Sequence, residues 1–176
     1  IEALRANLID VAVVTSPFAD KTGLNINVIK KLQDIVAAGN GFSYLKDKEI
    51  SLHELVKYPL ICLKNTTPTR NYLDHIFRQH NLLLRPDIEL TSINFVMPMV
   101  KNNLGIGFMQ YATTKAEIEA GNIFRVNTKE QIPPRSICAV TASQYETPEP
   151  VQRFIDSLLE KESVNIYCLL YTSDAA

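Results

Sequence analysis

Short runs of β-branched and aliphatic residues recur along this chain, and between them stand stretches whose apolar residues repeat at helical spacing. Leu8 to Val14 (LIDVAVV), Pro59 to Leu63 (PLICL), Ile88 to Leu90 and Ile137 to Thr141 are strand-like runs. The almost unbroken apolar character of LIDVAVV is the mark of a strand buried on both faces, as in a parallel sheet. Tyr72, Leu73, Ile76, Phe77 and His80 form one helical stripe, and Val151, Phe154, Ile155, Leu158 and Leu159 form another. Strand and helix in alternation predict an α/β fold with a largely parallel sheet.

Local signals place the boundaries. Ser51-Leu52-His53-Glu54 has the S-x-x-E spacing of a capping box, which predicts a short helix to about Lys57 that Tyr58-Pro59 stops. Thr67 before Pro68 reads as an N-cap followed by proline at the first helical position, where the missing amide hydrogen costs nothing. Asn25 to Ile29 and Ile35 to Ala38 favour strands on either side of Lys30-Lys31 and Gln33-Asp34, and Gly39-Asn40-Gly41 makes a loop. Thr91-Ser92 starts a helix carrying Phe95, Val96, Met99 and Val100, in which Pro98 predicts a kink or early end. Leu104 to Met109 is a glycine-bearing strand, followed by a helix of about Thr114 to Ala120 with Gly121 as its C′ residue. Ile123 to Val126 is a further short strand.

Composition excludes several classes. With 176 residues and 46% hydrophobic side chains the chain can bury a sizeable core as one domain or two small ones. Eighteen Lys and Arg against 19 Asp and Glu leave a formal charge of -1, so no net positive field attracts a phosphate backbone. Cys62, Cys138 and Cys168 are odd in number and far apart, which argues against a disulfide framework and a zinc site. The N-terminal residues have no signal-peptide pattern, so cytoplasmic residence is the default expectation. After Glu162 the character changes, and residues 164–176 read as a non-native tail.

The chemistry-bearing residues are sparse. His53, His75 and His80 have no partner at a metal-ligand spacing, and no metal or cofactor is expected. There is no G-x-S-x-G elbow, no Cys/His nucleophile signature and no phosphate loop, so an enzyme is not expected. Gly105 and Gly107 form a bare G-x-G inside a strand, read as close backbone packing. Hydroxyl side chains recur where strands end: Thr15-Ser16, Thr66-Thr67-Thr69 and Thr91-Ser92. In an open α/β sheet ligands bind outside the carboxyl ends of strands, where helix N-termini favour anions. The same residues also read simply as helix caps and strand ends, and the pattern alone leaves both readings open.

Four segments in order carry a resemblance: L-x-x-x-x-I-D-V-A-V-V-T at 4 to 15, I-S-L-H-E-L-V-K-Y-P-L-I at 50 to 61, T-P-T-R-N-Y-L-D at 67 to 74, and M-V-K-N-N-L-G-I-G-F-M at 99 to 109. Together, from residue 1 to about 161, the chain resembles the effector-binding domain of a LysR-type transcriptional regulator. The resemblance implies a type-2 periplasmic-binding-protein-like fold, two α/β subdomains joined by two crossover segments near residues 29–33 and 139–143. Residues 1–31 plus 141–163 would form part of the first regulatory subdomain and residues 32–140 the second. The opening strand and helix of the first would be missing, the chain being an N-terminally truncated fragment.

By the same resemblance a small anionic effector is implied to bind between the subdomains, with Thr15 and Thr69 as hydroxyl contacts. Ser16, Thr67, Arg70, Thr91, Ser92 and Met109 complete the implied effector-binding set. Asn103 stands where the family usually has Gly, tolerable because Asn accepts left-handed backbone geometry, and Gln110 stands where Pro is common. DNA would be bound only through a winged helix-turn-helix missing here, and the full-length protein is implied to be a homodimer. The fragment itself is expected to be monomeric, and no membrane association is implied. The alternative is a transport-type solute-binding protein of the same fold, which a signal peptide or lipobox upstream would identify. An enzyme on this fold would need a catalytic constellation that the sequence does not show.

Overall fold

The computed structural model describes residues 1–18 and 20–160, and the tail at 164–176 lies outside the described residues. The chain divides into two compact units: one of residues 1–31 with residues from Arg135 onward, the other Leu32–Pro134. The second division falls at Pro134/Arg135, earlier than the expected 140/141. The reason is pairing: Ile137 to Val140 lie in register with Thr15 to Ala12, which ties this stretch to the first unit.

The first unit holds helix α1 (Glu2–Arg5), strands β1 (Ala12–Thr15), β2 (Leu24–Leu32) and β9 (Arg135–Ala142), and helix α6 (Glu149–Glu160). Its three-stranded sheet has the order β1-β9-β2, with β1 antiparallel to β9. Leu4, Cys138 and Val140 form its small core, with Ala12, Val14, Leu24 and Ile26 packed against them. The expectation of a first strand buried on both faces is corrected: β1 is half-buried throughout, and Leu8 is 76% exposed. As an edge strand of a three-stranded sheet, β1 has a core on one face only.

The second unit has a six-stranded sheet of order β4-β8-β3-β7-β5-β6, formed by β4 (Glu49–Ile50), β8 (Ile123–Thr128), β3 (Asp34–Gly39), β7 (Ile106–Gln110), β5 (Leu60–Leu63) and β6 (Ile88–Leu90). In this unit the largely parallel sheet that alternation predicts is found with one strand reversed, and β4 runs parallel to β8. β7, β5 and β6 are mutually parallel, but β3 runs antiparallel to both β7 and β8. β3 continues almost directly from β2, with Gln33 alone between them, so its direction is set by the chain entering the unit rather than by a helical crossover.

Strand residues alternate between two cores. Val36, Leu60, Cys62, Ile106 and Phe108 join Tyr72, Leu73, Ile76 and Phe77 of helix α3 (Pro68–Gln79). Ile35, Ile61, Leu63 and Met109 join Val96 and Val100 of helix α4 (Val96–Lys101). Helices α2 (Leu52–Leu55) and α5 (Tyr111–Glu119) complete the unit. The sheet is thus apolar on both faces, which is why β3, β5 and β7 carry almost no polar residue between their ends.

Helix starts follow their sequence signals. Ser51 Oγ accepts from the Glu54 amide at 3.2 Å, and Thr67 Oγ1 accepts from the Arg70 amide at 3.2 Å. The helix expected from Thr91-Ser92 is instead a 3-10 turn (Ile93–Phe95) followed by α4 from Val96, so the change of helix type falls before Pro98 and not at it. Pro98 then lies in the first turn, where no intrahelical partner awaits its amide. Asn103 has φ 61°, and its Oδ1 accepts from the Gly41 amide at 2.6 Å. A Cβ on Gly107 would lie 2.7 Å from Val100 Cγ2, and one on Gly105 2.7 Å from the Pro59 carbonyl, so both glycines serve close packing.

Candidate functional site

Three parallel strands of the second unit end at one edge of its sheet. The register Ile61↔Ile88 and Ile61↔Gly107 aligns the carboxyl ends of β5, β6 and β7. From that edge β5 leads to Thr67 and Thr69, β6 to Thr91 and Ser92, and β7 to Gln110. Thr67, Thr69, Thr91 and Ser92 are therefore gathered at one sheet edge of the second unit, while Thr15 and Ser16 belong to the first.

Each of them has a distinct local duty. Thr67 caps α3 and donates its own hydroxyl hydrogen to the Lys64 carbonyl at 2.9 Å, so both of its hydrogen-bonding functions are engaged. Ser92 Oγ accepts weakly from the Asn94 amide at 3.4 Å at the head of the 3-10 turn, and Thr91 is exposed beside it. Thr69 is half-buried on the first turn of α3. In the first unit, Thr15 ends β1 opposite Ile137. Ser16 beside it exchanges two hydrogen bonds with Ser136: its amide donates to the Ser136 carbonyl, and its Oγ accepts from the Ser136 amide, both at 2.8 Å. Ser16 thus fixes the end of a sheet pairing.

Arg70, expected among the effector contacts, is directed inward. It is 6% exposed. Nε donates to Asp74 Oδ1 at 2.9 Å, Nη1 to Glu89 Oε1 at 2.7 Å and to the Leu63 carbonyl at 3.1 Å, and Nη2 to the Leu84 carbonyl at 3.1 Å. Burial by itself would pull the guanidinium pKa down, but the hydrogen bonds to Asp74 and Glu89 outweigh it and the net shift is upward. Arg70 is a pin joining α3 to β5, β6 and the Leu84 loop. Its backbone amide is also engaged by Thr67 Oγ1, so it is no open donor for an anion. With Pro68 lacking an amide hydrogen and the Asn71 amide donating to the Thr67 carbonyl at 3.0 Å, this helix end is more closed than a cap-and-proline pattern suggests.

Met109, also in the implied set, belongs to the core. It is 4% exposed and packs with Ile35, Val96 and Val100 on the α4 side of the sheet. The residue that sequence reasoning did not place among the contacts is its neighbour Gln110. Among the described residues, Gln110 Oε1 is the buried side-chain oxygen without a hydrogen-bond partner. The signal was present as a departure from the family's usual proline, but nothing in the sequence showed that the carboxamide is buried. Among the described residues no three His, Cys, Asp or Glu side chains are grouped to hold a metal ion, and no helix is long and apolar enough to cross a membrane.

Residues 1–163 match the family model described as the LysR substrate binding domain. The HTH-type transcriptional activator CmpR of Synechocystis sp. (strain ATCC 27184 / PCC 6803 / Kazusa) is 29% identical over 111 residues, covering 62% of this chain and 36% of CmpR. The chain thus spans about a third of that relative's length. The regulatory domain of CcmR from Synechocystis PCC6803, solved in complex with 2-PG, superposes with a TM-score of 0.75 at 18% identity, over 93% of this chain and 78% of that one. The effector-binding domain of QuiR in complex with shikimate gives a TM-score of 0.70 at 18% identity, over 90% and 74%. These likenesses in fold, the two-unit α/β architecture and the match over residues 1–163 agree, and the chain belongs to the LysR substrate-binding-domain family.

Proposed function

We propose that this chain is the ligand-sensing part of a LysR-type transcriptional regulator, and that a small effector is held at the carboxyl edge of the second unit's sheet. The observation that carries the reading is the convergence of the β5, β6 and β7 ends, with Thr69, Thr91 and Ser92, in a chain of this family. Thr69 is the principal hydroxyl contact of the second unit. Thr67 and Arg70 support the site without touching the effector, and Met109 lies behind it. Two structures similar in fold were solved with 2-PG and with shikimate, both small acids, which supports an effector of that size and charge.

The effector is bound without being converted. Its binding changes regulation only through differential affinity for two arrangements of the whole protein, since equal affinity for both shifts nothing however tight it is. In the whole protein, DNA is contacted by a winged helix-turn-helix outside this chain, and the regulator works as a homo-oligomer. Titration calorimetry with a panel of small acids that includes shikimate tests the site. Thr69→Val should weaken binding of the acid that binds by about 1–2 kcal/mol, the net worth of a hydrogen bond to a charged group. Thr67→Ala should instead cost about 1 kcal/mol of stability through the lost cap. Unchanged affinity in Thr69→Val with lowered stability would remove Thr69 from the site.

A further inference from the structure

Gln110 is 8% exposed, and its backbone is fixed on both sides. Asp34 lies opposite it in the β3–β7 register, and its carbonyl accepts from the Thr113 and Thr114 hydroxyls at 2.9 and 3.2 Å. It occupies the N-cap position of α5 with φ -75° and ψ 132°, yet its side chain makes no cap bond. Residues that begin helices are Ser, Thr, Asp or Asn, whose short side chains reach the free amides. The carboxamide of Gln110 is therefore not explained by the start of α5. A buried acceptor left without a donor costs free energy, which an apolar residue of the same volume would avoid.

The direction of the side chain follows from the strand. Met109 packs into the α4-side core and Phe108 into the α3-side core, so the next alternation turns Gln110 toward α3. On that face, at the same sheet edge, stands the first turn of α3 with Thr69. We propose that Gln110 is a specificity-determining residue of the effector site, its Oε1 accepting a hydrogen bond from a hydroxyl or amino group of the ligand. The inference rests on the site proposed above and narrows its ligand class to small carboxylic acids that also carry such a donor. The environment agrees with this. Arg70, the one cation on this first turn, is already paired with Asp74 and Glu89, and the helix-end amides of Arg70 and Asn71 are engaged. Discrimination there comes from hydrogen-bond pairing more than from charge, and a buried acceptor rejects a ligand that leaves it unpaired.

The test is a set of matched pairs measured by titration calorimetry on the full 176-residue chain: lactate against propionate, malate against succinate, and shikimate against cyclohex-1-ene-carboxylate. The expected result is that within a pair that binds, the hydroxylated acid binds about ten-fold or more tightly than its partner, and that Gln110→Met brings the two to within about two-fold. The wild-type comparison stands even if Gln110→Met does not fold. Equal affinity within every binding pair leaves the site in place and overturns the role of Gln110, Oε1 then being met by water alone. A preference that survives unchanged in a folded Gln110→Met also overturns it. No binding by any of these acids, or by alanine and serine tested alongside, overturns the site and the inference together.

Discussion

Arg70 shows how a residue type can suggest one role and its surroundings impose another. A solvent-facing arginine beside hydroxyls reads as an anion contact, but its partners Leu63, Leu84 and Glu89 are brought to it by the strand order. The motif T-P-T-R shows where the helix starts and leaves the arginine's destination open. Because Arg70 is buried and Asp74 nearly so, whereas Glu89 is partly solvated, Arg70→Met should destabilise the second unit by about 3 kcal/mol, at the low end for breaking a buried ion pair. Arg70→Lys should recover less than half of that, since an ammonium cannot reproduce the fork. Urea unfolding measures both, and a loss below about 1 kcal/mol would contradict the pinning role. Cys62 gives a second reading at this scale. Burial pushes its thiol up to about 12 from an ordinary 9.0, and Cys138 is raised by burial as well. A group whose folded pKa is raised stabilises the fold fully below its unfolded value and loses that contribution as pH climbs toward the folded one. The urea midpoint should therefore fall between about pH 9 and 12, and fall less steeply in Cys62→Ala. Equal slopes in the two proteins would show that the thiol is not protected.

Among elements, those announced by local chemistry are legible, and those fixed by distant pairing are not. The capping box, the Thr67-Pro68 helix start and the apolar stripe of α3 mark their elements because each signal is contained in a dozen residues or fewer. The direction of β3, the exposure of β1 and the 3-10 helix Asn40–Leu45 depend on neighbours supplied from elsewhere in the chain. Gly39 illustrates the second kind. A Cβ there would lie 2.3 Å from the Val100 carbonyl oxygen and 2.5 Å from Asn103 Oδ1, so β3 can meet the end of α4 only through a glycine. Gly39→Ala should cost about 2–3 kcal/mol, as overpacking against backbone does. Gly121 is the contrast, with φ 72° and open space around it, and Gly121→Ala should cost about 1 kcal/mol through backbone strain alone. Thermal unfolding of the two variants distinguishes crowding from conformation, and a reversal of their order would refute it.

For the whole molecule, the family and the two-unit α/β plan were legible because the motifs at 4–15, 50–61, 67–74 and 99–109 fall on the helices and strands described and on the turns that join them. The site was legible in part: the hydroxyls are where strands end, but which face inward as caps and which remain for a ligand is decided by hydrogen bonds the sequence does not display. The charge balance of 18 Lys and Arg against 19 Asp and Glu belongs to this scale too. The chain should not retain duplex DNA in a gel shift at low salt, and micromolar, salt-sensitive retention would contradict the assignment of DNA contact to a separate segment. The sheet order β1-β9-β2 has a further consequence in time. During synthesis β1 and β2 emerge before the second unit but are not each other's neighbours, and the strand that belongs between them leaves the ribosome more than a hundred residues later. The continuous stretch Leu32–Pro134 has all its sheet partners within itself and can close while the earlier strands still wait. A ribosome paused with Pro134 just clear of its exit tunnel would therefore carry the second unit closed and the first still open, and β9, made after both, is the strand that completes the first.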